Sequence, residues 1–439
     1  MKKRQTRFII GFLLLNLVIG TFTTIVYADD TSFTTDFDVQ AKAAIAIDSD
    51  SGKIFYEKNA TEALPIASMT KLLTMYLVLE AIHQKELNWD DKVTINDHLY
   101  ELSQDMELSN VPFEKNGTYT VKDLFNATEV VSANAAAVAL AEKVAGSEKD
   151  FVDRMRAKVK EWQLDDAYLI STSGINNEDA KGQIYPGSQP KDENKMSAKS
   201  MAIVARHLIH DYPEFLDYSK KSSDIFAKGT TNEIPMSNWN MMLPGMPYEK
   251  AGVDGLKTGT TLLAGACFVG TIKQDNLRLI TVVMNADNWE QDSGVRFKET
   301  ANLMDYVYNN WQQETLIHKG DVIPDFPVVS VNKGKELTVP IKINQDLTFW
   351  TEKNMPTKHL TYTINMDTHS NNNQPTVYAP IQKNTEVGNV TVQLTEDTLG
   401  YLDTPKQVQK APVIVTSSVE KANPFVLLGR KIKHLVQSF

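Results

Sequence analysis

The hydrophobic pattern of the chain changes near Thr315, and this change limits the folds that are open to it. Up to that point, helix-spaced apolar runs, such as residues 68–82 and an alanine-rich run at 126–146, alternate with strand-like runs such as 267–272. Beyond it, short β-prone runs are separated by turn residues. The 439 residues with 42% hydrophobic content are enough for roughly two or three domains. We therefore predict an α/β (α+β) domain followed by a small all-β domain.

The first 28 residues have the composition of an export signal. They contain cations and no acidic residue, then an apolar run, and they end on the small residue Ala28. The cations are Lys2, Lys3, Arg4 and Arg7. We predict a secretory signal cleaved after Ala28. The alternative is an uncleaved anchor, because the apolar run approaches the roughly 20 residues of a transmembrane helix. Either interpretation places the rest of the chain outside the cytoplasm.

The C-terminal residues 419–439 are also basic. Apolar residues recur there at helical spacing, and most of the cations fall on the opposite side. The apolar set is Phe425, Leu428, Ile432, Leu435, Val436 and Phe439. The segment is too short and too charged to span a bilayer, so we predict an amphipathic helix that lies on an anionic membrane surface. The alternative is a terminal helix packed on its own domain.

The charge and the cysteine content exclude several classes of protein. The formal net charge is −10, and the two basic ends leave −18 for residues 29–420, so we expect no nucleic-acid partner. The single cysteine, Cys267, rules out a disulfide framework and a metal site built from cysteines. His207 and His210 lie one helical turn apart, but no His-Glu-x-x-His pattern accompanies them. We therefore predict neither a metal nor a cofactor.

Ser68 and Lys71 form the first candidate for catalysis. Three residues apart on a helix, they share one face, and a lysine there can deprotonate the serine if the lysine is neutral. That requires a pKa lowered by burial or by another cation nearby. The Ser-x-x-Lys pattern occurs four times in the chain, but only Ser68 begins an apolar helix after a proline-containing turn. The geometry of a buried nucleophile is therefore available at Ser68.

Two further motifs follow in the same part of the chain. Ser132 and Asn134 can direct a hydroxyl and a carboxamide into one cleft from a loop or a helix start. Lys257 and Thr258 precede Gly259 on a predicted strand edge, where a glycine lets a ligand backbone approach and the lysine suits an anionic peptide end. In this order, the three motifs form the serine-lysine set of penicillin-binding proteins and class A β-lactamases.

The chain resembles the low-molecular-weight penicillin-binding proteins, the serine D-alanyl-D-alanine carboxypeptidases, over nearly its whole length. The resemblance includes the three motifs, a hairpin at residues 43–56, a turn at 171–176, the stretch 254–260, the β domain and the tail. It implies a fold with a β-lactamase/transpeptidase-like catalytic domain, a small all-β domain and a C-terminal amphipathic helix. The predicted boundaries are a signal at 1–28, the catalytic domain at 29–315, the β-rich domain at 316–418 and the membrane-anchor helix at 419–439.

The resemblance also implies a role for each matching residue. Ser68 would be the nucleophile, Lys71 its general base, Ser132 the proton relay to the leaving D-alanine, and Asn134 the group that orients the substrate amide and Lys71. The substrate-binding residues would be Lys257, Thr258, Gly259, Thr260 and Arg296. The backbone N–H groups of Ser68 and Thr260 would form the oxyanion hole.

Three features depart from or extend the family pattern. Relatives have an arginine inside an Asn-x-Asn stretch before the Lys-Thr-Gly strand, and this chain has Trp239 there. Arg296 matches a second arginine of the family and would help to bind the substrate carboxylate, the alternative being a solvated arginine. The turn at residues 173–175 is also a variant of the family turn.

The implied activity is removal of the terminal D-alanine from peptidoglycan pentapeptides through a Ser68 acyl-enzyme, which limits cross-linking. The partners would be stem peptides ending in D-Ala-D-Ala, β-lactams as covalent inhibitors, and the outer face of the bacterial cell membrane. One alternative is a class A-like β-lactamase, for which Glu161 would have to activate the deacylating water. The other is a non-catalytic, membrane-attached wall-binding protein.

Overall fold

The computed structural model describes residues 37–366, 376–403 and 406–437. The chain divides into a unit of Met1–Asp38 and a unit of Val39–Phe439, and all described helices and strands belong to the second unit. The predicted export signal lies outside the described residues.

The first part of the second unit alternates strands and helices, as predicted. Its strands are β1 (Ala41–Asp48), β2 (Ile54–Lys58), β3 (Leu64–Pro65), β4 (Lys92–Thr94), β5 (Thr118–Thr120), β6 (Lys195–Met196), β7 (Ser223–Phe226), β8 (Ile234–Ser237), β9 (Val253–Thr261), β10 (Gly265–Gln274) and β11 (Leu277–Ala286). Its helices are α1 (Lys71–His83), α2 (Asp97–Ser103), α3 (Val121–Val130), α4 (Asn134–Ala145), α5 (Glu148–Glu161), α6 (Ala198–Asp211), α7 (Leu216–Ser219) and α8 (Val295–Asn310). Two 3-10 helices lie at Ala67–Thr70 and Pro213–Phe215.

A five-stranded antiparallel sheet of order β2-β1-β11-β10-β9 organises this part. β1, β10 and β11 are buried along almost their whole length, because helices that include α6 and α8 pack against the sheet. β9 is an edge strand, and it carries the Lys-Thr-Gly motif, as predicted. The edge position leaves one side of the motif open to a ligand.

α1 is a core helix, and this fixes the position of the Ser68 turn. Every residue of α1 from Lys71 to Leu79 is buried, as is typical of a helix that is apolar on most sides. The 3-10 helix that contains Ser68 leads directly into it. The predicted helix over residues 68–82 is therefore confirmed, with a tighter first turn.

The prediction of one helix over residues 126–146 is wrong. The structure has two helices there, α3 and α4, separated by residues 131–133. Ser132 has a φ of 60°, in the left-handed region that a continuous right-handed helix cannot include. The break places Ser132 in a turn and makes Asn134 the first residue of α4.

The second part of the unit is all-β apart from one terminal helix, as predicted. Its elements are β12 (Trp311–Ile317), β13 (Val328–Asn332), β14 (Thr338–Ile343), β15 (Leu347–Glu352), β16 (Leu360–Met366), β17 (Thr376–Tyr378), β18 (Glu386–Leu394), β19 (Val408–Val415) and α9 (Pro424–Gln437). A six-stranded sheet has the order β16-β18-β19-β14-β13-β17, and β12 pairs with β15. A separate apolar cluster, with Val339, Phe349, Val390 and Val413 fully buried, forms the core of this part.

α9 presents its apolar side chains to solvent. The Arg430 guanidinium donates to the carbonyl oxygens of Gly334 and Lys335 at 2.7 and 2.8 Å, and this holds the helix against the β-rich part. Phe425, Leu428, Ile432 and Val436 are all exposed. No helix in the described part of the chain is both long and apolar enough to cross a membrane.

Lys53 is fully buried where the two parts of the unit meet. Its ammonium donates to a carboxylate oxygen of Asp397 at 2.9 Å and to the carbonyl oxygen of Ile54 at 2.6 Å. The same ammonium lies 4.7 Å from the centre of the Trp311 ring. The backbone of Ile54 continues the contact by donating to the carbonyl of Gly400. The junction is therefore a buried ion pair inside an apolar surround.

Candidate active site

A cleft of about 380 Å³ brings together most of the predicted site residues. It is lined by Ser68, Ser132, Thr258, Gly259, Thr260 and Arg296, together with Glu107, Ser109, Trp239, Met241, Ser293 and Phe297. Lys71 and Asn134 lie behind this lining in a hydrogen-bonded chain that reaches Ser68, and Lys257 is buried beside Thr258. All nine predicted residues therefore belong to one site, although they come from distant segments of the chain.

The Lys71 amine has three oxygen neighbours and no carboxylate partner among them. Its Nζ lies 2.9 Å from Ser68 Oγ, 2.7 Å from Asn134 Oδ1 and 2.7 Å from the carbonyl oxygen of Ser173. The side chain is 0% exposed. Burial lowers the pKa of Lys71 well below its ordinary value, and the positive charge of Lys257 lowers it further.

The neutral form of Lys71 is oriented to act as a base. The oxygens of Asn134 and Ser173 can only accept hydrogen bonds, so they take the two N–H donors of a neutral amine. The remaining lone pair then faces the Ser68 hydroxyl, which can donate across 2.9 Å. The same three contacts that fix the lysine therefore aim its basic electron pair at the Ser68 hydroxyl.

Two glycines let neighbouring segments press against the Ser68 turn. A Cβ on Gly174, which has a φ of +83°, would lie 1.9 Å from the carbonyl oxygen of Ala67. A Cβ on Gly259 would lie 2.8 Å from the carbonyl oxygen of Ile66. The absence of a side chain at Gly259 thus leaves room for the backbone of Ile66. Gly259 also lines the cleft, so its predicted approach to a ligand backbone stays a prediction.

The break between α3 and α4 places Ser132 in the cleft lining and Asn134 directly behind it. The backbone N–H and the side-chain amide of Asn134 both donate to the carbonyl oxygen of Ser109, at 2.9 and 3.1 Å. These two bonds fix the carboxamide, so that its oxygen points at Lys71. Ser132 Oγ is buried and has no hydrogen-bond partner among the described residues. An oriented amide and an uncommitted hydroxyl are therefore available to a substrate.

The opposite wall of the cleft is cationic. Arg296, from α8, is buried and donates to Gly259 O at 2.9 Å, to Thr260 Oγ1 at 2.8 Å and to Cys267 O at 3.2 Å. This places Arg296 inside the wall, where the alternative was a solvated side chain. Burial lowers the pKa of Lys257, and its ammonium contacts the carbonyl oxygen of Thr258 at 3.4 Å. These two cations provide a site for an anionic group.

Several contributors to the site escaped the sequence-based prediction. The carbonyl oxygens of Ser109 and Ser173 are backbone groups, which leave no signal in side-chain identity. Glu107, Met241 and Phe297 line the cleft without belonging to any of the three motifs.

Neither Glu161 nor the histidine pair lines the Ser68 cleft. Glu161 ends α5, and its exposed carboxylate pairs with Lys158 at 3.0 Å. His207 stacks on the Trp162 ring with a centroid distance of 4.2 Å, and His210 contacts the carbonyl oxygen of Ser49. These residues have packing and surface roles in the structure.

Comparisons with known proteins agree with this geometry. Residues 29–288 match the family model described as D-alanyl-D-alanine carboxypeptidase, and residues 311–421 match the C-terminal domain of penicillin-binding protein 5. The D-alanyl-D-alanine carboxypeptidase DacF of Bacillus subtilis is 27% identical over 430 residues, which is 98% of each chain.

Two solved structures extend the comparison. A peptidoglycan synthesis regulatory factor (PBP3) from Streptococcus pneumoniae has 40% identity and a TM-score of 0.68, covering 88% of this chain and 100% of its own. Penicillin-binding protein D2 from Listeria monocytogenes, in its ampicillin-bound form, has 30% identity and a TM-score of 0.51. It covers 62% of this chain and 100% of its own.

Proposed function

The chain belongs to the D-alanyl-D-alanine carboxypeptidase family, and from this membership we propose that Ser68 is the residue that cleaves the terminal D-alanyl-D-alanine bond of peptidoglycan stem peptides. The protein is a serine carboxypeptidase of the penicillin-binding type. The observation that supports Ser68 in this role is the arrangement at Lys71, whose lone pair faces the Ser68 hydroxyl.

The reaction begins with binding of the peptide's terminal carboxylate. Lys257 and Arg296 supply positive charge, while the hydroxyls of Thr258 and Thr260 supply hydrogen bonds to that carboxylate. Asn134 holds the amide of the substrate. The scissile carbonyl then lies at Ser68, with its oxygen in a hole formed by the backbone N–H groups of Ser68 and Thr260.

Proton transfer and bond cleavage follow from the same arrangement. Lys71 takes the Ser68 proton as Oγ attacks the carbonyl carbon, and a tetrahedral oxyanion forms. The C–N bond breaks when Ser132 delivers a proton to the leaving amine and is itself reprotonated from Lys71. D-Alanine departs, and water hydrolyses the acyl-enzyme to release the shortened peptide and free Ser68.

A β-lactam presents the same features as the substrate. It carries a reactive amide carbonyl and a carboxylate, and a related penicillin-binding protein binds ampicillin. We propose that Ser68 opens the lactam ring to give a covalent adduct that water releases slowly. Slow release follows from the leaving nitrogen, which stays tethered to the acyl group.

The two ends of the chain bear on where the protein is located. We propose an export signal at residues 1–28, a catalytic domain at 29–315 and a β-rich domain at 316–418. Residues 419–439 would form an anchor that lies on the outer face of the bacterial cell membrane. The exposed apolar side chains of α9 support the anchor. Removal of residues 425–439 should leave D-alanine release unchanged and move the protein from the membrane pellet to the supernatant. A truncated protein that still pellets contradicts the anchor.

Mass spectrometry of a penicillin adduct tests the central assignment. Wild-type protein should gain one penicillin mass on the peptide that contains Ser68, and it should release D-alanine from a D-Ala-D-Ala peptide. The Ser68→Ala variant should do neither, while it melts at the wild-type temperature. A label on another residue overturns the mechanism, and rapid catalytic hydrolysis of penicillin would identify a β-lactamase.

A further inference from the structure

The cleft has an acid on the wall that faces its cations. Among the described residues that line the cleft, Glu107 is the only acid. It lies in an exposed turn after α2, where its backbone N–H donates to a carboxylate oxygen of Asp105 at 3.0 Å. The Asp105 carboxylate pairs with Lys181, whereas the Glu107 carboxylate has neither a hydrogen bond nor an ion pair with a described residue. The Glu107 charge is therefore available to a ligand in the cleft.

Hydrogen bonds fix the segment that carries Glu107 against the start of α4. The carbonyl oxygen of Ser109 accepts both the backbone N–H and the side-chain amide of Asn134, at 2.9 and 3.1 Å. The side-chain oxygen of Asn110 accepts the backbone N–H of Ala135 at 2.9 Å. Since consecutive Cα atoms are about 3.8 Å apart, the backbone of Glu107 lies within about 8 Å of that of Ser109. Glu107 therefore belongs to the part of the cleft wall next to Asn134.

Trp239 lies on the other side of the break between α3 and α4. Its indole N–H donates to the carbonyl oxygen of Val131 at 3.1 Å, which fixes the ring beside the break. The residue is 50% exposed and lines the same cleft as Glu107. An arginine at this position, as in relatives, would repel a cation, whereas the face of an indole ring attracts one. An acid and an aromatic ring thus flank the break.

The positions of the charges set the direction of a bound peptide. Lys257 and Arg296, on the opposite wall, suit the terminal carboxylate, and the scissile carbonyl lies at Ser68. The acyl side of the peptide then leaves Ser68 past Asn134, which holds its amide. Beyond that amide, the next side chain of the peptide reaches the wall that carries Glu107.

We propose that Glu107 and Trp239 form a subsite for an ammonium group on the acyl side of the scissile bond. The protein then prefers stem peptides in which the residue before D-Ala-D-Ala carries a free amine. The carboxylate supplies the opposite charge, and the indole ring supplies a cation–π contact. The proposal rests on the proposed function, because the direction of the peptide follows from a carboxylate at the cationic wall. Neither residue is assigned a contact with the reacting atoms.

Two peptides that differ by one charge test the subsite. They are α-acetyl-L-lysyl-D-alanyl-D-alanine and the same peptide with its ε-amine acetylated. For wild type, kcat/KM should be about three- to fivefold higher with the free amine, and the difference should lie in KM, as for an exposed ion pair. Glu107→Gln should bring this ratio close to one, and Glu107→Lys should invert it. Trp239→Leu should lower the ratio by about twofold.

Controls separate the subsite from general damage. Glu101→Gln changes an exposed acid on α2 that does not line the cleft, so the ratio should stay at the wild-type value. Benzylpenicillin carries no amine, so its rate of acylation should be within about twofold of wild type in Glu107→Gln. High salt should reduce the wild-type ratio, because exposed charges are screened.

Three results would overturn the proposal. The first is a wild-type protein that cleaves both peptides equally well. The second is a Glu107→Gln variant that keeps the wild-type ratio; if its melting temperature also falls, Glu107 serves only the turn with Asp105 and Lys181. The third is an unchanged ratio in Trp239→Leu, which removes the ring from the subsite. If wild type releases D-alanine from neither peptide, the proposed function fails. Competition of each peptide with penicillin acylation then measures the same preference without cleavage and decides the subsite.

Discussion

Lys53, at the junction of the two parts, and Lys71, behind the cleft, are both fully buried, and they have different partners. Lys53 donates to the Asp397 carboxylate, and burial lowers its pKa while Asp397 opposes the change. Lys71 has a hydroxyl, an amide oxygen and a carbonyl oxygen as neighbours, with a further cation nearby. Desolvation is common to both residues, and the partners differ.

The difference decides what each lysine can do. A carboxylate partner stabilises the ammonium, so Lys53 forms an ion pair that joins two segments 344 residues apart in the sequence. Three neutral oxygens and a nearby cation favour the amine, which suits Lys71 to the role of base that we propose for it. Burial alone therefore does not create a catalytic lysine; the absence of a nearby carboxylate partner completes the condition.

The largest effect is expected from Lys71→Met, which removes the base and keeps a similar length. D-Alanine release should fall by about 10²–10⁴-fold, as for the loss of a general base. Steady-state kinetics measure the loss, and Lys122→Met, at an exposed position on α3, is the matched control. Activity within tenfold of wild type would show that Lys71 is not the base, and the functional contrast between Lys53 and Lys71 would then be wrong.

The second effect is on stability, and it should come from Lys53→Met. This change leaves Asp397 buried without its cation, which costs about 3–5 kcal/mol in the free energy of unfolding. Urea denaturation measures the cost, and kcat/KM of the folded protein should stay within about twofold. The double variant Lys53→Met/Asp397→Asn removes both charges and should recover most of the stability. A single variant as stable as wild type contradicts the structural role of the pair.

The smallest effect concerns the pH dependence of stability. The pKa of Lys71 is lower in the folded chain than in the unfolded chain, so the unfolded chain binds the additional proton between the two pKa values. The free energy of unfolding must then rise with pH in that window. Below the pKa of about 10 that a lysine has in the unfolded chain, the rise should be steeper for wild type than for Lys71→Met. Denaturation curves at several pH values measure the slopes, and equal slopes would show that Lys71 is charged in the fold.

Local signals in the sequence were enough to predict much of the fold and most of the residues of the candidate site. The helix after Ser68, the β9 edge strand and the change to an all-β pattern depend on spacing between near neighbours, which a sequence displays directly. The break between α3 and α4 was missed, because alanine-rich helical spacing continues through the left-handed Ser132.

The sequence by itself determined which residues are the candidates for catalysis, because Ser68, Lys71, Ser132, Asn134 and Lys257 lie in short motifs. Only the tertiary structure decided how they are tuned. It packs Gly259 against the Ser68 turn, buries Lys71 without a carboxylate partner among its hydrogen-bonded neighbours and buries Arg296 beside Thr260. The physical reason is that a pKa depends on burial and on charges from distant segments, which come together only when the chain packs.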